Sequence, residues 1–365
     1  VQTSRGHVHS ILTSLTDPVE EVELQRVPTS ARAMRIIFFG TPDFAVPALD
    51  RFISSPEYDV ALVVTQPDRP AGRGRSLQRS PVALHANKRG IDLYQPKSLN
   101  REARFNLAGY DADLFFVAAY GRIFGPKTLA LPRSGCVNLH ASVLPKYRGA
   151  SPITAAILTG DAITGVSLMM MDARLDTGAL IAAADEAIRG DDTTATLGER
   201  LSELGADLAV SILPKFVAGT IEPRPQSGEE ASLTRLLTKG DGWLDWTASR
   251  TELERRVRAM QPWPRAWTTL REENIQIHRA TPGGELASGK PGQIVAVRPA
   301  LVVATGAGSL QLDEVQAAGS RRMSGAAFAT GRRLTIGDTF DTANPPLSRS
   351  ALVVAVDSMT AGDSA

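Results

Sequence analysis

The chain is poor in cysteine, in aromatic rings, in long apolar runs and in net charge, and each shortage closes off a class of protein. A single cysteine, Cys136, stands among 365 residues. That excludes an internal disulfide framework and a cysteine-built zinc site, and it fits a reducing compartment, the cytoplasm. Cys136 lies in an apolar stretch, where inert burial outweighs a nucleophilic role. No apolar run approaches the ~18 residues of a membrane span. Aromatic residues make up only 5% of the chain and the net charge is +1, so whole-chain charge announces no nucleic-acid partner. No G-x-G-x-x-G follows the first apolar strand, which leaves a dinucleotide cofactor unsupported. What is present suffices for ordinary cores, at 43% hydrophobic residues, and the length points to two domains.

Residues 1–33 mix Ser, Thr, Glu and Arg without sustained periodicity. Asp17, Glu20 and Glu21 interrupt any signal-peptide core, so the segment reads as a disordered extension ahead of Met34. Short apolar runs then alternate with helical patterns. Ile36–Phe39, Val60–Val64, Ile91–Tyr94, Leu114–Ala118, Cys136–His140 and Val166–Met171 read as strands, and Ala179–Ile188 as a further one. Helices are expected from an Asp43 cap to Ser54, over 81–88, and from about Thr193 to Val217. In the last of these, Leu197, Leu201, Leu204, Leu208 and Ile212 recur at core-facing spacing. This rhythm predicts an α/β domain with a doubly wound, mostly parallel, Rossmann-like sheet over 34–219.

A Pro- and Gly-bearing linker over 220–231 follows. Thr251 is placed to cap a helix through Ala259, and short apolar runs near Ile275, Gln293, Leu301 and Leu310 suggest a small β-barrel within 232–334. That domain holds fifteen Lys and Arg against nine Asp and Glu, a modest excess that suits contact with a nucleic-acid backbone. Four tryptophans there, Trp243, Trp246, Trp263 and Trp267, are read as core packing. The tail, 335–365, turns polar, with one apolar patch from Ser348 to Val356.

The chemistry concentrates in Gly135–Gly149. Asn138 and His140 sit two apart in an apolar strand, so their side chains share one face. A second stretch, from Leu168 to Gly178, is an apolar strand that ends in carboxylates, Asp176 among them. Asn, His and Asp form a set suited to acyl transfer. An imidazole takes a proton from an attacking nucleophile, a carboxylate orients that imidazole, and an Asn amide donates to an oxyanion. No Ser or Cys is spaced to act as nucleophile, which favours direct attack by an amine or by water. A structural histidine and a turn-starting asparagine are the plainer alternative. Between the second strand and the next helix runs Gln66–Pro81, rich in Pro and Gly and expected to lack regular structure. It carries Arg69, Arg73, Arg75 and Arg79, and is either a solvated loop or a functional one.

Asn138-Leu-His-Ala-Ser-Val-Leu-Pro-Lys-Tyr-Arg-Gly149 with Leu175-Asp-Thr-Gly178 closely resembles the signature of the formyltetrahydrofolate-using formyltransferases. Phe39-Gly-Thr-Pro-Asp-Phe44, Thr65–Gly74, Val117–Gly121 and Gln261–Trp267 narrow the resemblance to the methionyl-tRNA formyltransferase family, over roughly Met34 to Leu334. The resemblance implies transfer of a formyl group from 10-formyltetrahydrofolate to initiator methionyl-tRNA, with Asn138, His140 and Asp176 catalytic. It implies folate contacts at Ser142, Val143, Leu144 and Pro145, and tRNA contacts from Arg69, Arg73 and Arg75. It also implies an OB-like second domain, and a cytoplasmic monomer needing neither metal nor membrane. A formyltetrahydrofolate hydrolase, or a formyltransferase acting on a small amine, would use the same three residues. A non-catalytic RNA-binding protein is the remaining alternative, against which the intact triad speaks.

Overall fold

The structure is a computed structural model, and it describes residues 32–71, 76–228, 230–284, 289–342 and 351–356. The expected N-terminal extension therefore lies, apart from Arg32 and Ala33, outside the described residues. The chain divides into two compact units. The first comprises residues through Leu144, then Gly165–Glu186 and Leu201–Gln226; the second comprises Pro145–Thr164, Ala187–Arg200 and the chain from Ser227 onward.

The first unit is built on β1 (Met34–Gly40), β2 (Tyr58–Val64), a hairpin of β3 (Arg69–Ala71) and β4 (Ser76–Gln78), β5 (Leu93–Tyr94), β6 (Leu114–Ala118) and β7 (Cys136–His140). After the two-residue β8 (Arg148–Gly149), which belongs to the second unit, come β9 (Ile163–Met170) and β10 (Leu180–Ala187). The main sheet has the order β10-β9-β7-β6-β1-β2-β5. Strands β7, β6, β1, β2 and β5 run parallel and β9 reverses against β7, so the sheet is α/β and mostly parallel, as the alternating pattern predicts. Its central strands are apolar throughout because both faces are covered: Ile36–Phe39 and Leu114–Ala118 are all buried. Alternate rings part to opposite faces. Phe38 packs on Phe52 and Phe116, while Phe39 packs on Phe115, Tyr120 and Phe124.

Helices α1 (Val46–Ser54), α2 (Pro81–Arg89), α3 (Arg101–Ala108), α4 (Pro126–Leu129), α5 (Pro152–Thr159) and α6 (Thr194–Val217) connect or cover these strands. Asp43 does not cap α1. It opens a 3-10 turn, Asp43–Ala45, and α1 starts behind Ala45 with a proline in its first turn, where a missing N–H costs nothing. Helix α3 has no strong apolar stripe, and what starts it is Asn100, whose side chain accepts from Ala103 N at 2.9 Å. In α6, Leu197, Leu201 and Leu208 are buried as expected, but Leu204 and Ile212 are only half-buried and Leu213 takes the inner place. Gly205 explains the shift: a Cβ there would stand 2.7 Å from a Leu139 methyl, so the helix lies directly on β7 at a residue no apolar pattern marks.

In the second unit, β12 (Ala266–Leu270), β13 (Glu273–Pro282), β14 (Ile294–Ala296), β15 (Leu301–Ala304), β16 (Ser309–Ala317) and β17 (Met323–Ser324) form an antiparallel sheet. Its order is β12-β13-β16-β15-β14, with β17 on β16, and it curls as a half-barrel of the expected OB-like kind. Helices α7 (Arg250–Ala259) and α8 (Gly325–Gly331) pack Leu253, Val257, Phe328 and Ala329 into its core. Ser249, not Thr251, caps α7: Ser249 and Glu252 satisfy one another's backbone N–H in a capping box, while Thr251 lies inside the first turn and Glu254, three residues after it, binds Arg258. Trp246 is wholly buried, donates to Thr268 Oγ1 at 3.0 Å and stacks on Phe340; Trp263 is half exposed and is not core. A separate three-stranded sheet joins β8, β11 (Ser232–Thr234) and β18 (Val353–Ala355). The apolar patch of the tail thus supplies a strand, paired antiparallel with β11. No helix among the described residues is long and apolar enough to cross a membrane.

Candidate active site

Strand β7 presents the first two side chains. Asn138 is paired across to Val117 on one side and Met169 on the other, and His140, the last residue of the strand, lies opposite Ser167. The two project to one face, near the carboxyl edge of the parallel strands, where open α/β sheets bind ligands. Asn138 is half-buried and His140 is buried. A polar side chain on an otherwise apolar buried strand is costly without a purpose or a partner.

The partner of His140 comes from the turn between β9 and β10. Asp176 Oδ2 stands 3.7 Å from His140 Nδ1, with both side chains largely shielded from water. That is too long for a hydrogen bond and close enough to stabilise an imidazolium as it forms. Asp176 has a left-handed backbone, φ +52°, which an aspartate tolerates better than most residues. The turn is held from three directions. Thr177 Oγ1 donates to both carboxylate oxygens of Asp172, at 2.9 and 2.7 Å, and Arg174 N donates to Asp172 Oδ1 at 2.9 Å. Gly178 packs so tightly on the Met170 carbonyl that no Cβ would fit. The side-chain amide of Gln226 donates to the carbonyls of Asp176, at 2.9 Å, and Gly178, at 2.8 Å. Gln226 falls in the stretch read from sequence as a linker, and no periodicity or motif singles it out.

Ser142, Val143 and Leu144 continue from His140 as an irregular segment. Ser142 and Leu144 are buried and Val143 is half-buried. Ser167, a strand residue absent from the sequence expectations, staples this segment: its hydroxyl donates to Ser142 O at 2.8 Å and accepts from Leu144 N at 3.1 Å. Pro145, in the second unit, accepts from Ser232 N at 3.4 Å.

The arginine-bearing segment departs from expectation in carrying regular structure. Strands β3 and β4 pair antiparallel from Arg69↔Gln78 to Ala71↔Ser76; Pro70 stands inside this ladder opposite Leu77, and a two-stranded sheet tolerates it because each strand is an edge. Arg69 lies in β3, exposed; Arg73 and Arg75 lie outside the described residues. Arg79 is 4.0 Å from Asp68. Cys136 is buried, and burial pushes its thiol up to about 12, so it is inert at neutral pH. No cluster of His, Cys, Asp and Glu suited to holding a metal occurs among the described residues.

A base with a carboxylate at its back and a neighbouring amide donor can move a proton and stabilise an oxyanion on one face of a strand. Residues 34–213 match the formyl transferase family, and residues 236–333 match the formyl transferase C-terminal domain. A methionyl-tRNA formyltransferase of Thiobacillus denitrificans is 47% identical over 308 residues, which cover 83% of this chain and 98% of that one. One from Halorhodospira halophila is 43% identical over 307 residues, covering 84% and 99%. Among solved structures, an N-formyltransferase from Helicobacter canadensis in complex with folinic acid and dTDP-3-aminofucose superposes with a TM-score of 0.59. It is 18% identical and covers 76% of this chain and 98% of its own. HypX from Aquifex aeolicus, in complex with tetrahydrofolic acid, gives 0.54 at 18% identity over 88% of this chain and 50% of that one. At such identities these two structures show a shared fold.

Proposed function

Because the chain belongs to the methionyl-tRNA formyltransferase family of formyl transferases, we propose that it moves a formyl group from 10-formyltetrahydrofolate to the α-amino group of methionine on initiator tRNA. The observation that carries the mechanism is the approach of Asp176 to His140 beside Asn138. The amine attacks the formyl carbon, and its lone pair becomes the new C–N bond while the carbonyl electrons move to oxygen. Asn138 donates to that oxyanion, a contact that strengthens as the charge develops. His140 accepts the proton that the ammonium must shed, and Asp176 stabilises the imidazolium that results. Collapse of the intermediate breaks the bond to folate N10, which takes a proton as tetrahydrofolate leaves. The donor is already activated, so bringing amine and formyl carbon together in one orientation supplies much of the rate.

The segment Ser142–Pro145 is the proposed folate contact, with Ser167 fixing its backbone. Arg69, Arg73 and Arg75 are the proposed tRNA contacts, assisted by the arginine-rich second unit.

The deciding experiment incubates the protein with labelled 10-formyltetrahydrofolate and charged initiator tRNA. Label should appear on the methionine amino group. Release of labelled formate with none on the aminoacyl group would instead make the protein a hydrolase. Asn138→Ala should lower kcat about a hundredfold while leaving the folate KM within about twofold, as expected for a donor that acts on the oxyanion.

A further inference from the structure

Several arginines in the first unit end on a carboxylate. Arg35 meets Asp59, Arg51 meets Glu203 and Asp207, Arg89 meets Asp50, and Arg133 meets Asp111 and Asp113. Arg69 and Arg122 have no carboxylate partner among the described residues. Both donate instead to one neutral acceptor, Gln66 Oε1, Arg122 through Nε at 3.2 Å and Arg69 through Nη2 at 3.4 Å. Asp68, the acidic residue beside them, accepts from Gln95 Nε2 at 2.8 Å and lies 4.0 Å from Arg79.

Gln66 is itself held fast. It is buried; its Nε2 donates to the Tyr120 carbonyl at 3.0 Å, and its own carbonyl accepts from Gln95 Nε2 at 3.0 Å. Its amide nitrogen is therefore committed inward, and its oxygen faces the two guanidinium groups. An amide oxygen orients a guanidinium without neutralising it, and each guanidinium carries five N–H donors. Two like charges fixed on one acceptor repel until an anion joins them, and a planar fork matches a phosphate in two bonds at once.

The position suits an extended ligand. Gln66 follows β2 and Arg122 follows β6, so the pair stands at the same carboxyl edge as His140. In the order β7-β6-β1-β2, the strand before Arg122 is the neighbour of the one bearing Asn138, and the strand before Gln66 is three spacings from it, on the order of 15 Å. Two exposed apolar side chains flank the arginines. Leu77 faces Pro70 across the hairpin and is 71% exposed, and Ile123 follows Arg122 and is 83% exposed. Such groups suit the ribose and base faces that alternate with phosphates along an RNA strand; a folate carboxylate would offer them nothing.

We propose that Arg122 and Arg69, aligned on Gln66, clamp a backbone phosphate of the RNA strand whose aminoacyl end reaches Asn138. This assignment rests on the acceptor being aminoacyl-tRNA, and it adds Arg122 and Gln66 to the residues that select that acceptor.

The test compares the full-length protein with Arg122→Gln, Arg122→Lys, Arg69→Gln and the double Gln variant. It measures KM for charged initiator tRNA and for 10-formyltetrahydrofolate, and tRNA binding across a salt series. Arg122→Gln should raise the tRNA KM about tenfold, with kcat and folate KM within about twofold. Its log–log salt dependence should be shallower by about 0.7, the share of one single-strand phosphate. Arg122→Lys, which keeps the charge but loses the fork, should fall between wild type and Arg122→Gln, and it carries the test should the Gln variant fold poorly. The double variant should lose less than the product of the single losses, because both arginines serve one phosphate. An unchanged tRNA KM and salt slope would overturn the clamp. So would a raised folate KM with unchanged tRNA kinetics, which would give the arginines to a donor carboxylate. Failure of the wild type to formylate tRNA at all is a separate result and would bring down the functional reading itself.

Discussion

Replacing Gln226 with Leu should impair catalysis without touching either substrate. The side-chain amide makes two hydrogen bonds to the turn that carries Asp176, at 2.9 and 2.8 Å. Each such bond contributes roughly 0.5–1.5 kcal/mol net, so the turn loses about 1–3 kcal/mol of local restraint. The kinetic consequence follows from distance. At an effective dielectric of about 20, Asp176 at 3.7 Å stabilises a charged His140 by about 4.5 kcal/mol. A retreat of about 2 Å would reduce that to about 2.9 kcal/mol, and the difference is about fifteenfold in rate. The assay is steady-state formylation with both substrates varied: kcat should fall about tenfold and both KM values should stay within about twofold. Gln226→Glu should be no better, since a carboxylate cannot donate to the two carbonyls. If Gln226→Leu turns over within about twofold of wild type, the turn is held by Asp172 and Gly178 alone and the positioning argument fails.

Three further outcomes are expected. His140→Ala and Asp176→Ala should combine in the double variant to little more than the larger single loss, measured as kcat; fully additive losses would mean the two do not act as a unit. Cys136→Ala should keep kcat within about twofold, because burial holds the thiol protonated, and a large loss would revive covalent catalysis. Asp192→Asn should cost about 2 kcal/mol of stability at neutral pH. Burial alone would push this carboxyl up, but hydrogen bonds from Arg200, Arg189 N and Thr196 bring it down to about 2, below its ordinary value of 3.8. A depressed pKa contributes stability above the unfolded value that is lost as pH falls, so the melting-temperature gap between variant and wild type should close between about pH 4 and pH 2. A gap independent of pH would assign Asp192 a role other than its charge.

Much of the first unit was legible because a sheet covered on both faces must be written in uninterrupted apolar runs. Ile36–Phe39, Leu114–Ala118 and Cys136–His140 are strands for that reason, and the two-residue spacing of Asn138 and His140 puts them on one face before any fold is known. Helix ends were less legible, since a cap depends on which hydroxyl reaches a free N–H: Ser249 and Thr251 each have a Glu three residues on, and only the fold shows Glu252 closing the box on Ser249 while Glu254 binds Arg258. Residues that act through a single long-range hydrogen bond left no periodic trace at all. Gln226 lies 50 positions from Asp176, and Ser167 lies 23 from Leu144. Gln66 was passed over inside a segment read as loop, though it gathers two arginines from 3 and 56 positions away.

The sequence by itself thus determined the sheet, the shared face of Asn138 and His140, and the kind of chemistry that Asn, His and Asp together permit, because local spacing and side-chain type settle those. Only the tertiary structure decided how near the Asp176 carboxylate comes to the imidazole, that Gly205 seats a helix on the strand of Asn138 and His140, and that the tail returns to pair with β11. Those depend on where separate turns and strand edges come to rest, and contacts between residues far apart in the chain carry no period for a sequence to display.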